Sequence, residues 1–101
     1  MDTEELIKEV NETINNEGYS LILYNDDINT FEHVIGCLVS YVNHTQIQAE
    51  QCATIVHYKG KCSIKNGSLN KLLSLKNILT INKLTVNIEW WEKWNKFLWK
   101  Y

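Results

Sequence analysis

The sequence predicts an α+β fold: a small α/β sandwich with a three-stranded antiparallel sheet, three helices on one face, and a C-terminal aromatic helix. Three observations predict it. At 101 residues the chain makes one domain with a modest core. Three short strand-like runs, YSLILY, KCSI and LTVNIE, are separated by stretches of helical period. Capping and turn residues fall at the joints between them.

From Asp2, DTEELIKEVNETINN places Leu6, Ile7, Val10 and Ile14 at helical spacing, with Asp2 and Glu5 as a capping pair. It reads either as a short helix or as an acidic tail that is helical part of the time, because short helices are marginal without packing. Gly18 breaks the pattern, and Tyr19 to Tyr24 is a short apolar run that reads as a buried strand. After a polar loop, Asn29 and Glu32 form an N-x-x-E capping pair, followed by Phe31, Val34, Ile35, Leu38, Tyr41 and Val42 on one helical face. A second helix opens at Thr45 with Gln48 three residues on, carries Ile47, Cys52, Ile55 and Val56, and ends before Gly60. KCSI reads as a strand closed by an Asn66-Gly67 turn. The third helix, from about Ser68, carries Leu69, Leu72, Leu73, Leu75, Ile78 and Leu79, and Leu84 to Glu89 alternates as a strand does. The chain therefore divides into an acidic extension over 1–18, a folded domain over 19–89 and a Trp-rich tail over 90–101.

Charge is lopsided along the chain. Residues 1–50 hold ten of the twelve acids and one Lys; residues 51–101 hold nine of the ten basic residues, all Lys. The acidic half attracts cations, and the absence of any Arg removes the guanidinium fork used on bases and phosphates, so nucleic acid is disfavoured as a partner. Cys37, Cys52 and Cys62 form no C-x-x-C pair and are odd in number, which reads as reduced thiols in a cytosolic protein. With no apolar signal region and no run of about 20 apolar residues, a soluble cytoplasmic protein is expected.

The chemistry-bearing groups are few. His33 and Cys37 stand four apart, yet a zinc site takes three or four such ligands, and no metal or cofactor is expected. Asp26, Asp27 and His57 come without a nucleophile elbow, a glycine-rich phosphate loop or H-E-x-x-H, so the chain is read as no enzyme. The tail EWWEKWNKFLWKY holds all four tryptophans, with Trp90, Trp94, Phe97 and Tyr101 on one helical face. Packing back onto the domain is its first reading, a partner or self-association surface its second, and a membrane surface its third; membrane binding is disfavoured by the short length and net acidity.

The loop at Asn25, Asp26 and Asp27 asks for more. A turn needs one such side chain, and here are three in a row. NDDINTFEHVI, then QAEQCATIVHYKGK, then VNIE resemble in order the signature segments of the ClpS family, over about Tyr19 to Glu89. The resemblance implies a small sandwich of three strands and three helices. It also implies an adaptor that binds the free N-terminal residue of substrates bearing bulky hydrophobic N-degrons (Phe, Tyr, Trp, Leu) and delivers them to a Clp AAA+ unfoldase of the ClpA or ClpC type. Asn25, Asp26 and His57 would then meet the α-amine, Asp26 directly or through water, while Asp27 holds the loop. Leu23, Asn29, Phe31, Val34, Ala53, Val56 and Ile88 would line or rim an apolar pocket for the first side chain. The chain departs from the family where many members carry Met at the positions of Phe31 and Ala53 and Thr-Pro in place of Asn29-Thr30. Asn70 and Leu73 stand near places where acidic residues often help to dock the unfoldase. The rival reading is an interaction or membrane-surface protein working through its aromatic tail.

Overall fold

The structure is a computed structural model and describes residues 18–90. The elements are β1 (Tyr19–Tyr24), α1 (Phe31–Tyr41), α2 (Gln46–Lys59), β2 (Lys61–Gly67), α3 (Leu69–Ile81) and β3 (Val86–Trp90). The acidic extension and the aromatic helix of the tail lie outside the described residues, apart from Gly18 and Trp90.

The most apolar strand takes the middle of the sheet. The order is β2-β1-β3, and both pairings are antiparallel. Ser20, Leu21, Ile22 and Leu23 of β1 are all buried, as suits a strand with a neighbour on each side. Leu21, Leu23, Ile64 and Val86 face the helices and meet Leu38, Val42, Ala49, Val56, Leu72 and Leu79 in one core. Each fully buried leucine contributes about 1.5–3 kcal/mol of transfer free energy, so this face of the sheet fixes where the helices sit.

Local signals set the joints, with three differences from expectation. The Thr45–Gln48 capping box forms as expected, the Thr45 hydroxyl accepting from Gln48 N and the Gln48 side chain from Thr45 N. Gly60 ends α2 in the left-handed region, φ 91°, and its amide donates to the Val56 carbonyl. The cap of α1, however, is Thr30, which accepts from His33 N at 3.1 Å. Asn29 is spent elsewhere. Asn66 and Gly67 do not close a turn but continue β2 opposite Ser20 and Tyr19. The Ser20 hydroxyl donates to Asn66 Oδ1 and also hydrogen-bonds the Ser63 hydroxyl. That polar cluster lengthens the ladder. Finally, β3 begins at Val86 rather than Leu84, because the Leu84 amide donates to the Leu79 carbonyl and finishes α3. Among the described residues no helix is long and apolar enough to cross a membrane.

Candidate functional site

Where β1 ends, Tyr24 N donates to the Thr85 carbonyl and Asn25 N donates to the Gly60 carbonyl. These two bonds hold the mouth of the sheet against both neighbouring joints. A cavity of about 310 Å³ opens there between the 25–30 loop, the start of α1 and the last turns of α2. Its apolar wall is Leu23, Val34, Ala53 and Val56, and its polar side is Asn25, Asp26, Asp27, Asn29 and His57, with Tyr24 and Phe31 between.

The two aspartates do different work. Asp26 Oδ1 accepts from the amides of Ile28 (3.0 Å) and Asn29 (2.8 Å), an Asx turn that folds the loop back on itself. Its Oδ2 accepts from Asn29 Nδ2 at 2.7 Å and from the Thr85 hydroxyl at 3.4 Å. Asn29 Nδ2 also donates to the Lys83 carbonyl, so one amide joins the loop to the turn after α3. Burial pushes the Asp26 carboxyl up, but the hydrogen bonds from Asn29, Ile28 and Thr85 outweigh it and hold the group below its ordinary value. Asp26, rather than Asp27, is thus the residue that holds the loop, the reverse of the sequence expectation. Asp27 is exposed at the rim, and among the described residues no group hydrogen-bonds to its carboxylate.

Asn25 and His57 face the same opening with their side chains uncommitted to any hydrogen bond among the described residues. His57 sits in the last turn of α2, where Val56 is buried and the helix end is fixed by Gly60. Its ring lies edge-on to Phe31, centroids 5.8 Å apart, and to Tyr58 at 5.1 Å. The opening therefore combines an amide oxygen, an imidazole and the negative charge of two carboxylates above hydrocarbon. Such a set accepts from a cationic donor and encloses an apolar group beside it.

Of the ten residues expected at the site, nine line this cavity. Ile88 does not: it pairs with Leu21, and the β3 residue opposite Leu23 is Val86. The resemblance implies Ile88 as part of the wall, and strand alternation gives its face but carries no information about register. The sequence marks Tyr24 only as the end of a strand, yet it lines the cavity and its hydroxyl donates to Glu89 Oε1 at 2.7 Å. That bond, with burial and the Glu89 charge, raises the Tyr24 phenol above its ordinary value. Position just before the polar loop was the signal that marked it. His33 Nε2 lies 2.8 Å from the Asn82 carbonyl, to which it donates, so this ring ties α1 to the end of α3. No group of three or more metal-ligating side chains occurs among the described residues.

Comparison with known proteins places these features in context. The family model described as ATP-dependent Clp protease adaptor protein ClpS matches residues 15–85. The ATP-dependent Clp protease adapter protein ClpS of Thermosynechococcus vestitus is 43% identical over 48 residues, 46% of this chain and 51% of that protein. The E3 ubiquitin-protein ligase ubr-1 of Caenorhabditis elegans is 38% identical over 66 residues, 63% of this chain but 3% of that protein. The chain spans about half the length of the ClpS relatives it matches. Agrobacterium tumefaciens ClpS2, solved bound to L-phenylalaninamide, has the same fold, with a TM-score of 0.66 over 70% of this chain and 93% of that one at 18% identity.

Proposed function

The chain belongs to the ClpS family, and from that premise we propose that its cavity binds the free N-terminal residue of substrates beginning with Phe, Tyr, Trp or Leu, for delivery to a Clp AAA+ unfoldase in the cytoplasm. The reading is of an adaptor without catalysis of its own. The unfoldase is of the ClpA or ClpC type.

One observation carries this reading: an apolar wall stands directly beside uncommitted acceptors and negative charge. A free N-terminus is an ammonium with three donors whose side chain springs from the same carbon, so both halves of the site are used at once. Asn25 Oδ1 and a neutral His57 ring nitrogen accept from the ammonium. Asp27 adds charge at the rim, and Asp26, whose lone pairs are spent on the loop, acts through its field and its hold on the backbone. The first side chain enters among Leu23, Val34, Ala53 and Val56, with Phe31 at the rim.

Burying a Leu or Phe side chain contributes about 1.5–3 kcal/mol, and each hydrogen bond to a charged group about as much. After ordering costs, a dissociation constant on the order of micromolar is expected, near 8 kcal/mol. Titration with peptides that begin with free Phe, free Leu, free Ala or acetylated Phe tests the site. Free Phe and Leu should bind at least about tenfold more tightly than Ala, and acetylation should abolish binding, because it removes the charge and blocks the donors. Equal affinity for free and acetylated Phe would refute the amine site. Removing residues 91–101 leaves this affinity unchanged if the cavity is the reader.

A further inference from the structure

The turn between α3 and β3, residues 82–85, lines no part of the cavity, yet it holds the cavity's loop side. The Asn82 carbonyl accepts from His33 Nε2, in the first turn of α1, at 2.8 Å. The Lys83 carbonyl accepts from Asn29 Nδ2, also at 2.8 Å. Thr85 joins in twice: its hydroxyl donates to Asp26 Oδ2 at 3.4 Å, and its carbonyl accepts from Tyr24 N at 2.9 Å. Asn29 suits its place because an amide has two N–H donors, and here Nδ2 serves both Asp26 Oδ2 and the Lys83 carbonyl. A hydroxyl, with one proton, could serve only one of them.

The turn is itself pinned from behind. Leu84 is buried in the core, and its amide donates to the Leu79 carbonyl at 3.0 Å, while the Lys83 amide donates to the Thr80 carbonyl at 2.9 Å. The Asn82 side chain donates to the Ile78 carbonyl at 2.8 Å. Between these anchors, the aim of the Asn82 and Lys83 carbonyls depends on the backbone of Lys83, which is left-handed at φ 68°. Asn tolerates that conformation; β-branched side chains resist it most.

We propose that residues 82–85 are the positioning element for the amine half of the site: through Asn29, His33 and Asp26 they set where Asn25 stands relative to His57, and the left-handed backbone of Lys83 governs affinity from outside the cavity. The inference rests on the reading of the cavity as a site for a free N-terminus. Asn25 is fixed from two directions. Its amide is tied to the Gly60 carbonyl at the end of α2, and the next residue, Asp26, is tied to Asn29 and Thr85. His57 stands on α2. The gap between the two acceptors is thus set by one link to α2 and one to the turn, and a donor that meets both needs the gap held to about 0.5 Å. Releasing the turn leaves the α2 link and the apolar wall in place. The loss then falls on the amine.

Lys83→Val and Lys83→Asn test this, since both remove the same exposed ammonium and differ in their tolerance of a left-handed backbone. In calorimetric titration Lys83→Val should bind peptides beginning with free Phe and free Leu more weakly, both by the same factor of roughly 5 to 10, whereas Lys83→Asn should bind them as the unaltered chain does. Added to Asn25→Ala, Lys83→Val should cost little more, because the turn acts through Asn25; a general loosening of the fold would add its full cost. His33→Ala removes one link only and should show the same pattern with a loss of about two- to threefold, and it decides the matter should Lys83→Val not fold. Full affinity in either variant, equal losses in Lys83→Val and Lys83→Asn, or a loss undiminished by Asn25→Ala would overturn the proposal. The unaltered chain separates these outcomes from failure of the site itself. If it binds free and acetylated Phe alike, the amine reading falls and this inference with it; a preference for free Phe at an affinity that the turn variants keep ends the inference alone.

Discussion

The cavity has two sides built by different means. The loop side, Asn25 to Thr30, is held by the Asp26 carboxylate, which gathers donors from Ile28, Asn29 and Thr85. The helix side, Ala53 to His57, is held by burial of Ala53 and Val56 and by the Gly60 terminus of α2. A hydrogen-bonded wall depends on one charged acceptor, and a packed wall on shape shared among many neighbours. The first fails when a single group is neutralised; the second fails when volume changes.

The sharpest way to separate the two sides is to remove acceptors that hold nothing else. His57→Ala and Asn25→Ala should each weaken binding of a free-Phe peptide by roughly 10- to 100-fold, the worth of a hydrogen bond to a charged group, with the melting temperature unchanged. Calorimetric titration beside a melting curve checks this, and a matching fall in stability would mean that these side chains brace the fold. Filling the packed wall comes next. Ala53→Leu puts three more carbons into the cavity and should lower affinity for Phe by about tenfold or more, with less effect on a peptide beginning with Ala.

On the loop side, Asp26→Ala should cost about 1–2 kcal/mol and lower the melting temperature by roughly 5–10 °C, taking affinity down with it. Asp27→Ala should leave stability alone and cost only a few-fold in affinity. Equal effects of the two changes would erase the distinction between them. Acidification gives a smaller version of the same contrast. The folded Asp26 carboxyl lies below its unfolded value, so its contribution is fully present above about pH 4 and is lost as the pH falls through the lower folded value. Melting curves from pH 7 to pH 3 should decline less steeply for Asp26→Asn than for the unaltered chain.

The same contrast explains what could be read from the sequence. Helical and strand patterns mark Leu23, Val34 and Val56 as apolar positions, whereas Ala53 lies on a helix whose Ile47 and Ile55 are exposed, so only the resemblance to the ClpS family points to it as part of the wall. Ile88, which the resemblance implies for the wall, pairs with Leu21 rather than Leu23, because alternation gives the face of a strand and only the pairing of β1 with β3 gives its register. That the loop is held by Asp26 rather than Asp27 has a related reason. Both have the same chemistry and adjoining positions; only the backbone path of the turn decides which carboxylate points back to the amides of Ile28 and Asn29. Asn29 has a capping side chain, yet the bridge from Asp26 to Lys83 claims its amide and leaves the cap to Thr30.

The Asn25 amide donates across to the Gly60 carbonyl, so segments 35 positions apart along the chain share one backbone link. Any parting of the two sides must break it. Deuterium uptake at that single amide is therefore a gauge of how often the mouth gapes, and a bound guest that grips both sides should slow the uptake there more than in the exposed surface of α2.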